Sequence, residues 1–525
     1  LPSKDAEPGE AARQEGGPGA VLLSSPRMTV RIGIGDGSLA FLEPDGRPIL
    51  ADPPGRARIL EKTDLQVPVS ARIRRRVVLD DGVDGPVARE ETVAEDATGL
   101  AGDDGPAYHT RVRLAPAPDE AWYGLGQHEE PWLDLRGRSQ FLYQHNLKIS
   151  LPVLVSSRGY GLLFDTGSAA LFRDDGFGTW FWTDCDRYLD YYVIWGGSLD
   201  GVVAGLRHLT GKAAQLPRWT LGYIQSKEHY HTQEEILATA RRFRAEGTPV
   251  DCLVQDWQSW KPLEWGQKSY DPDRYPDPSG MIDTLHAMGI KYMHSIWPVM
   301  RTGGPDHAEM AEAGCLYAND YTYNPFLPEA RALYWEQTLR GVCSHGADAL
   351  WCDCTEPFKW DWGFRDRPDP VENFHRTVQE FKKWMDPRSL QEYSLYHARG
   401  LYEGWRATDP SRRAAILIRS GYPGQQRYGT IAWSGDISAR WDVLRAQIPN
   451  ALNFCVCGLP YWTLDIGAFF TIDNPRFWCM DGRYPGGVAD PDYCELYVRW
   501  FQFAAFLPML RAHGTDTPRE AWQFG

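Results

Sequence analysis

The chain has 525 residues, 43% of them hydrophobic and 24% charged, and carries a formal net charge of −15. This length allows two to four domains, and the acidic balance, with no Lys/Arg-rich run, argues against nucleic acid or an anionic membrane as partner. Tryptophan and tyrosine, at 22 and 25, exceed ordinary usage, as large aromatic cores and sugar-stacking sites both require.

Residues 1–25 are rich in Gly, Pro, Glu and Ala and poor in large apolar side chains. Burial cannot offset the entropy of ordering such a segment, so a disordered tail is expected. Over 26–217, short alternating runs at 28–34, 71–79, 108–114, 151–156 and 159–164 are broken by Gly, Pro and Asp. That spacing predicts an N-terminal antiparallel β-sandwich.

After Pro217 the pattern becomes strand, loop and helix in repetition, with strand-like runs at 221–225, 250–255, 291–296, 349–352, 414–418, 430–433 and 459–464. Thr232 and Glu235 have the spacing of a capping box for a helix ending near Gly247. The segments 281–288, 329–342 and 438–452 carry apolar residues at i, i+3 and i+4. This alternation, without a Gly-rich phosphate turn, predicts an α/β chain with a (β/α)8 TIM barrel over 218–525. Seven strands are counted before Gly525. The barrel is therefore expected to be truncated after its seventh strand, its C-terminal part missing, since a missing strand leaves an open edge.

The ten cysteines form no CxxC pair and several sit in apolar runs, as reduced, buried thiols do. No signal-like start and no apolar run of 18 residues occurs, so a cytoplasmic protein is expected. The first residue is Leu1 and not Met, which leaves room for an upstream segment.

In a barrel, chemistry sits at the C-terminal strand ends. The residues there are Gln225, Ser226 and Lys227, then Asp256 and Trp257, Trp297, Asp353 and Glu356, Arg419, Asp436, and Asp465. A strand-end Asp also caps helices, yet four at one face point to a working site. Paired carboxylates suit glycoside cleavage, which needs a proton for the leaving oxygen and an anion facing an oxocarbenium-like carbon. Strand alternation turns Cys352 and Cys354 toward the helices and Asp353 into the mouth. Arg427 is the candidate for keeping Asp353 ionised, while like charge and burial beside Trp433 raise Asp436.

Five blocks, Trp351-Cys352-Asp353-Cys354-Thr355-Glu356, Gly424-Gln425-Gln426-Arg427-Tyr428-Gly429, Trp433-Ser434-Gly435-Asp436, Asp465-Ile466-Gly467 and Arg511-Ala512-His513-Gly514, together resemble the signature of glycoside hydrolase family 31. The stretches Tyr123-Gly124-Leu125-Gly126-Gln127 and Gly222 to Glu235 are similar to the same family. The resemblance implies a retaining exo-acting α-glycosidase with Asp353 as nucleophile and Asp436 as acid/base. Asp256, Trp257, Trp297, Trp351, Arg427, Trp433, Asp465 and His513 would line the subsite of the cleaved sugar. Gln127, His128 and Glu129 would reach across from the sandwich. It implies an oligosaccharide or glycoside substrate and no metal or organic cofactor, and the histidines show no HExxH or Cys/His ligand spacing. Homo-oligomer formation is left open.

The run Gln255-Asp256-Trp257-Gln258-Ser259-Trp260 is similar to members acting on α-xylosides, where bulky aromatics after that Asp fill the space a hexose hydroxymethyl needs. Ala468 stands where a second Gly is usual. α-Glucosidase, α-galactosidase and transglycosidase activities stay open, as does a non-catalytic carbohydrate-binding role.

Overall fold

The computed structural model describes residues 12–15, 19–68, 72–82, 85–95, 100–102, 105–356, 365–475 and 477–525. Its N-terminal part is antiparallel throughout. One five-stranded sheet runs from Ala12–Glu15 and Ala20–Ser24 through Thr29–Gly33 and Leu39–Leu42 to Pro48–Ala51. A second has the order Ser139–Leu142, Ala170–Asp175, Gly178–Asp186, Ala107–Leu114, Arg58–Thr63. A four-stranded sheet of Trp122–Gln127, Ile149–Ser156, Tyr160–Phe164 and Tyr191–Trp195 completes the sandwich. Phe41, Leu50, Val112, Trp122, Leu154, Phe164 and Phe181, from all three sheets, share one core. The expected tail is corrected where it is described, because Ala20–Ser24 pairs on both edges, with Ala12–Glu15 and Thr29–Gly33; residues 1–11 and 16–18 lie outside the described residues. The run expected at 71–79 corresponds to Arg72–Gly82, paired with Gly85–Glu95.

Ile149–Ser156 is buried along its whole length, and strand periodicity explains why. Leu154 faces the sandwich core. Ile149, Leu151, Val153 and Val155 face the other way, into the core that surrounds the barrel. The sandwich is thus sealed onto the barrel through one strand with two apolar faces.

The barrel strands are β1 (Tyr223–Gln225), β2 (Cys252–Gln255), β3 (Lys291–Ile296), β4 (Ala349–Cys352), β5 (Ile416–Ile418), β6 (Thr430–Trp433), β7 (Trp462–Thr463) and β8 (Leu510–Ala512). They form one parallel sheet in the order β7, β6, β5, β4, β3, β2, β1, β8. A parallel bridge between Ile466 and Ala512 and the Ile466 N–H donating to the Arg511 carbonyl at 3.2 Å close the ring. This corrects the expectation of a barrel truncated after seven strands. The eighth strand is three residues with a charged centre, Leu510-Arg511-Ala512, and so has no apolar run to read.

Inside the ring, Ile224, Val254, Met293, Trp351, Leu417, Ile431 and Trp433 pack on one another. Leu253, Tyr292, Leu350, Cys352 and Ile418 face the surrounding helices, as period-2 alternation dictates. The helix Gln233–Ala245 starts at Thr232, whose hydroxyl accepts from the Glu235 N–H at 3.2 Å; the return arm of the capping box falls one residue early, the His231 N–H donating to Glu235 at 2.7 Å. Helix Trp441–Val456 docks on the sandwich, Asn453 accepting from the Gly124 N–H at 2.9 Å.

Candidate active site

Asp353 follows the last residue of β4, and Asp436 follows β6 through Ser434 and Gly435. Both carboxylates converge on Arg419, the residue after β5. Its Nη1 lies 2.9 Å from Asp353 Oδ1 and 3.2 Å from Asp436 Oδ2. Oxygens at those distances from one nitrogen are at most about 6.1 Å apart. Retaining pairs sit roughly 5–5.5 Å apart and inverting pairs roughly 6.5–9.5 Å; the bound on this oxygen pair lies below the inverting range.

Glu356 meets two further nitrogens of Arg419, with Nη2 to Oε1 at 2.6 Å and Nε to Oε1 at 3.0 Å. One buried guanidinium therefore faces three carboxyl groups, and they cannot all ionise without excess like charge. Burial pushes Asp436 up to about 7; Arg419 opposes the rise and the Asp353 charge adds to it. At neutral pH Asp436 can hold a proton, as a general acid requires.

A cavity of about 450 Å³ opens beside the pair, lined by Asp256, Trp257, Trp265, Trp297, Trp351, Trp433 and His513 among others. Trp257, Trp265 and Trp297 form a mutual wall, with ring centroids 5.1, 6.0 and 5.0 Å apart. Asp256 Oδ2 lies 3.7 Å from His513 Nε2. Burial first, then the Asp353 charge, raises the Asp256 carboxyl well above its usual range. Burial, then Arg511 and Arg519, keeps His513 neutral, and its Nδ1 lies 2.9 Å from the Ser226 hydroxyl. Among the described residues, Asp256 Oδ1 and the indole N–H groups of Trp351 and Trp433 are buried without a partner. Such groups are costly unless a ligand's hydroxyls meet them.

Seven of the eight subsite candidates are thus resolved plainly: Asp256, Trp257, Trp297, Trp351, Trp433 and His513 line the cavity, and Asp465 does not. Asp465 pairs with Arg511 beneath the floor, both side chains fully buried, and Arg511 lies under the Trp351 ring at 4.4 Å. Burial, opposed by Arg511, pushes Asp465 up to about 6. The eighth, Arg427, is also corrected. It precedes β6 and so sits at the opposite end of the barrel, where its Nε donates to the Gly424 carbonyl at 3.0 Å and its guanidinium lies 5.2 Å from the Tyr428 ring. Arg419 holds Asp353 instead, and the strand-end rule that selected the aspartates points to it too.

Cys352 faces the helices as expected. Cys354 does not: its backbone turns into the left-handed region at φ 52, so its side chain lines the cavity and its sulfur lies 2.8 Å from Arg419 Nη2. The sandwich reaches the site by a route the sequence does not display. Gln127 Nε2 donates to the Leu147 and Ser434 carbonyls at 2.8 and 3.1 Å, and His128 Nε2 lies 2.8 Å from the Leu125 carbonyl; neither lines the cavity, nor does Glu129. Among the described residues, Asn146 reaches the pair from the sandwich, its amide donating to Asp436 Oδ2 at 2.9 Å. Among the described residues no three His, Cys, Asp or Glu side chains converge as a metal site needs.

Residues 213–525 match the family model for the glycosyl hydrolases family 31 TIM-barrel domain. The chain is 39% identical over 429 residues to an alpha-xylosidase of Saccharolobus solfataricus, covering 79% of this chain and 55% of that protein. It is 32% identical over 437 residues to an uncharacterized family 31 glucosidase of Pseudescherichia vulneris, covering 79% of this chain and 75% of that protein. The solved structure of a GH31 alpha-xylosidase from a soil metagenome, complexed with xylose, superposes with a TM-score of 0.79 at 25% identity over 100% of this chain and 76% of that one.

Proposed function

The chain belongs to glycosyl hydrolase family 31, and from that premise we propose that it is a retaining, exo-acting α-glycosidase that removes a terminal α-xylosyl unit from oligosaccharides. Asp353 attacks the anomeric carbon while Asp436 protonates the departing oxygen, and a glycosyl-enzyme forms. Asp436, now ionised, takes a proton from water, which attacks the same carbon and releases the sugar with its α configuration kept. Arg419 favours the charged form of Asp353 during attack. Asp256, His513 and the Trp351 and Trp433 indoles hold the hydroxyls of the sugar.

The observation that carries the xyloside reading is the Trp257, Trp265 and Trp297 wall next to Asp256. These indoles, packed edge-to-face and tilted, fill the space in which a hexose would place its hydroxymethyl group, and a filled pocket rejects the larger sugar sterically. The Saccharolobus relative and the soil-metagenome structure, both alpha-xylosidases, support the same substrate, whereas the Pseudescherichia relative is an uncharacterized family 31 glucosidase. Among the described residues the ten cysteines form no disulfide, as a reducing compartment allows, and no helix among the described residues is long and apolar enough to cross a membrane.

The test is hydrolysis of matched aryl α-xyloside, α-glucoside and α-galactoside by the full-length protein and its Asp353→Ala variant. Turnover of the xyloside that the variant loses is the expected result. Preference for a hexoside would keep the mechanism and overturn the sugar; binding of all three without turnover would favour a carbohydrate-binding role.

A further inference from the structure

We propose that Asn146, delivered by the sandwich hairpin at 143–150, is a positioning residue that decides which oxygen of Asp436 carries the acid proton. The inference rests on Asp436 being the acid/base.

The Asn146 amide makes two bonds to one residue. Its Nδ2 donates to Asp436 Oδ2 at 2.9 Å, and its Oδ1 accepts from the Asp436 backbone N–H at 3.1 Å. A backbone N–H can only donate, so the amide oxygen must face it and the NH₂ group must face the carboxylate. Arg419 Nη1 donates to the same Oδ2 at 3.2 Å. Two donors, one of them permanently charged, thus converge on Oδ2, and among the described residues none is recorded on Oδ1. A neutral carboxyl group has one hydroxyl oxygen and one acceptor oxygen. With Oδ2 committed as acceptor, the proton resides on Oδ1, in a side chain that lines the catalytic cavity. Without Asn146, the carboxyl keeps only the longer Arg419 contact and can rotate its proton away from the leaving oxygen.

The surroundings are built around this contact. Gly435, with φ 80, has no Cβ; one placed there would meet Asn146 Oδ1 at 2.4 Å. Gln127 ties the Leu147 and Ser434 carbonyls together, so the residue after Asn146 and the loop before Asp436 move as one unit. His145 and Lys148 exchange backbone hydrogen bonds at 3.4 and 3.0 Å to close the turn that presents Asn146.

The charged groups that act on Asp436 are Arg419, Asp353 and Asp465 from the barrel, with Glu356 on the same guanidinium, and all persist when Asn146 alone is changed. The Asn146 N–H favours the ionised form of Asp436. Its loss therefore raises the acid's proton affinity, and the alkaline limb of kcat/KM moves to higher pH.

The experiment compares wild type, Asn146→Ala and Asn146→Asp on a series of aryl glycosides of the sugar that the wild type hydrolyses, from 2,4-dinitrophenyl to unactivated phenyl leaving groups. A positioned acid contributes about 10²–10⁴-fold, and only where the leaving group needs its proton. Misplacing that proton is expected to slow the phenyl substrate at least about 10-fold while the dinitrophenyl substrate loses under about 3-fold, with the alkaline limb displaced upward. Asn146→Asp keeps the size and the backbone contact but sets a second carboxyl against Oδ2, so it displaces the limb further and serves if the Ala variant does not fold. Equal losses on all leaving groups with an unmoved limb in the folded variant would overturn the proposal. Asp436→Ala, run alongside, isolates the premise: if it shows no leaving-group dependence and no rescue by azide, the acid assignment fails, independently of Asn146.

Discussion

Replacing Arg419 with Met removes the cation that, among the described residues, Asp353, Asp436 and Glu356 share, while keeping most of the side-chain volume. Glu356 is 1% exposed, whereas Asp353 and Asp436 are 13% and 14% exposed. Water that reaches the two aspartates softens their loss, so the stranded Glu356 dominates. Breaking a buried pair from one side costs about 3–5 kcal/mol, and we expect Arg419→Met to fall in that range at pH 7 by urea unfolding followed through tryptophan fluorescence. The sign with pH is fixed by linkage. A carboxylate stranded in the folded state binds protons more tightly there than when unfolded, so its penalty is present above the unfolded pKa and fades as protonation neutralises it. The deficit against wild type should therefore shrink between pH 7 and pH 5. A deficit under about 1 kcal/mol, or one that is constant over that window, would refute the reading of Arg419 as the counterion of this cluster.

In wild type, kcat/KM should fall as pH rises through about 7, the value to which burial pushes Asp436, because the ionised form cannot protonate the leaving oxygen; a pH–rate profile with its alkaline limb unchanged in Asp436→Ala would contradict this. Trp257→Ala removes one side of the indole wall and should shift the ratio of α-xyloside to α-glucoside kcat/KM toward the glucoside by about 10–200-fold, read from paired aryl substrates; an unchanged ratio would place the size filter elsewhere. Arg427→Ala loses one hydrogen bond to the Gly424 carbonyl, worth about 1 kcal/mol of stability, and should leave KM for an aryl glycoside unaltered; a large rise in KM would return Arg427 to the site.

The barrel was legible wherever a strand is an apolar run. The spans read for β3, β4 and β6 coincide with the observed Lys291–Ile296, Ala349–Cys352 and Thr430–Trp433. β8 was not, because Arg511 occupies its centre to pair with Asp465 inside the ring. The two catalytic candidates were legible for a related reason: each follows a buried strand that ends at the barrel mouth. Arg427 was mistaken for their partner on proximity in sequence to Asp436. Direction along the strand separates the two arginines, since Arg427 enters β6 and Arg419 leaves β5. Cys354 escaped the alternation rule because the strand has ended and its φ is left-handed. Asn146 carried no local signal at all. It lies 290 positions from Asp436 in another domain, and only the docking of Ile149–Ser156 against the barrel brings it to the mouth.

The most direct test of the central claim is to trap the glycosyl-enzyme with a 5-fluoro-α-glycosyl fluoride of the accepted sugar and locate the adduct by mass spectrometry of proteolytic peptides. The account predicts one fluorosugar on the peptide containing Asp353, absent from Asp353→Ala. A label on any other residue, or steady turnover of the reagent with no covalent adduct and a β-configured product, would contradict it.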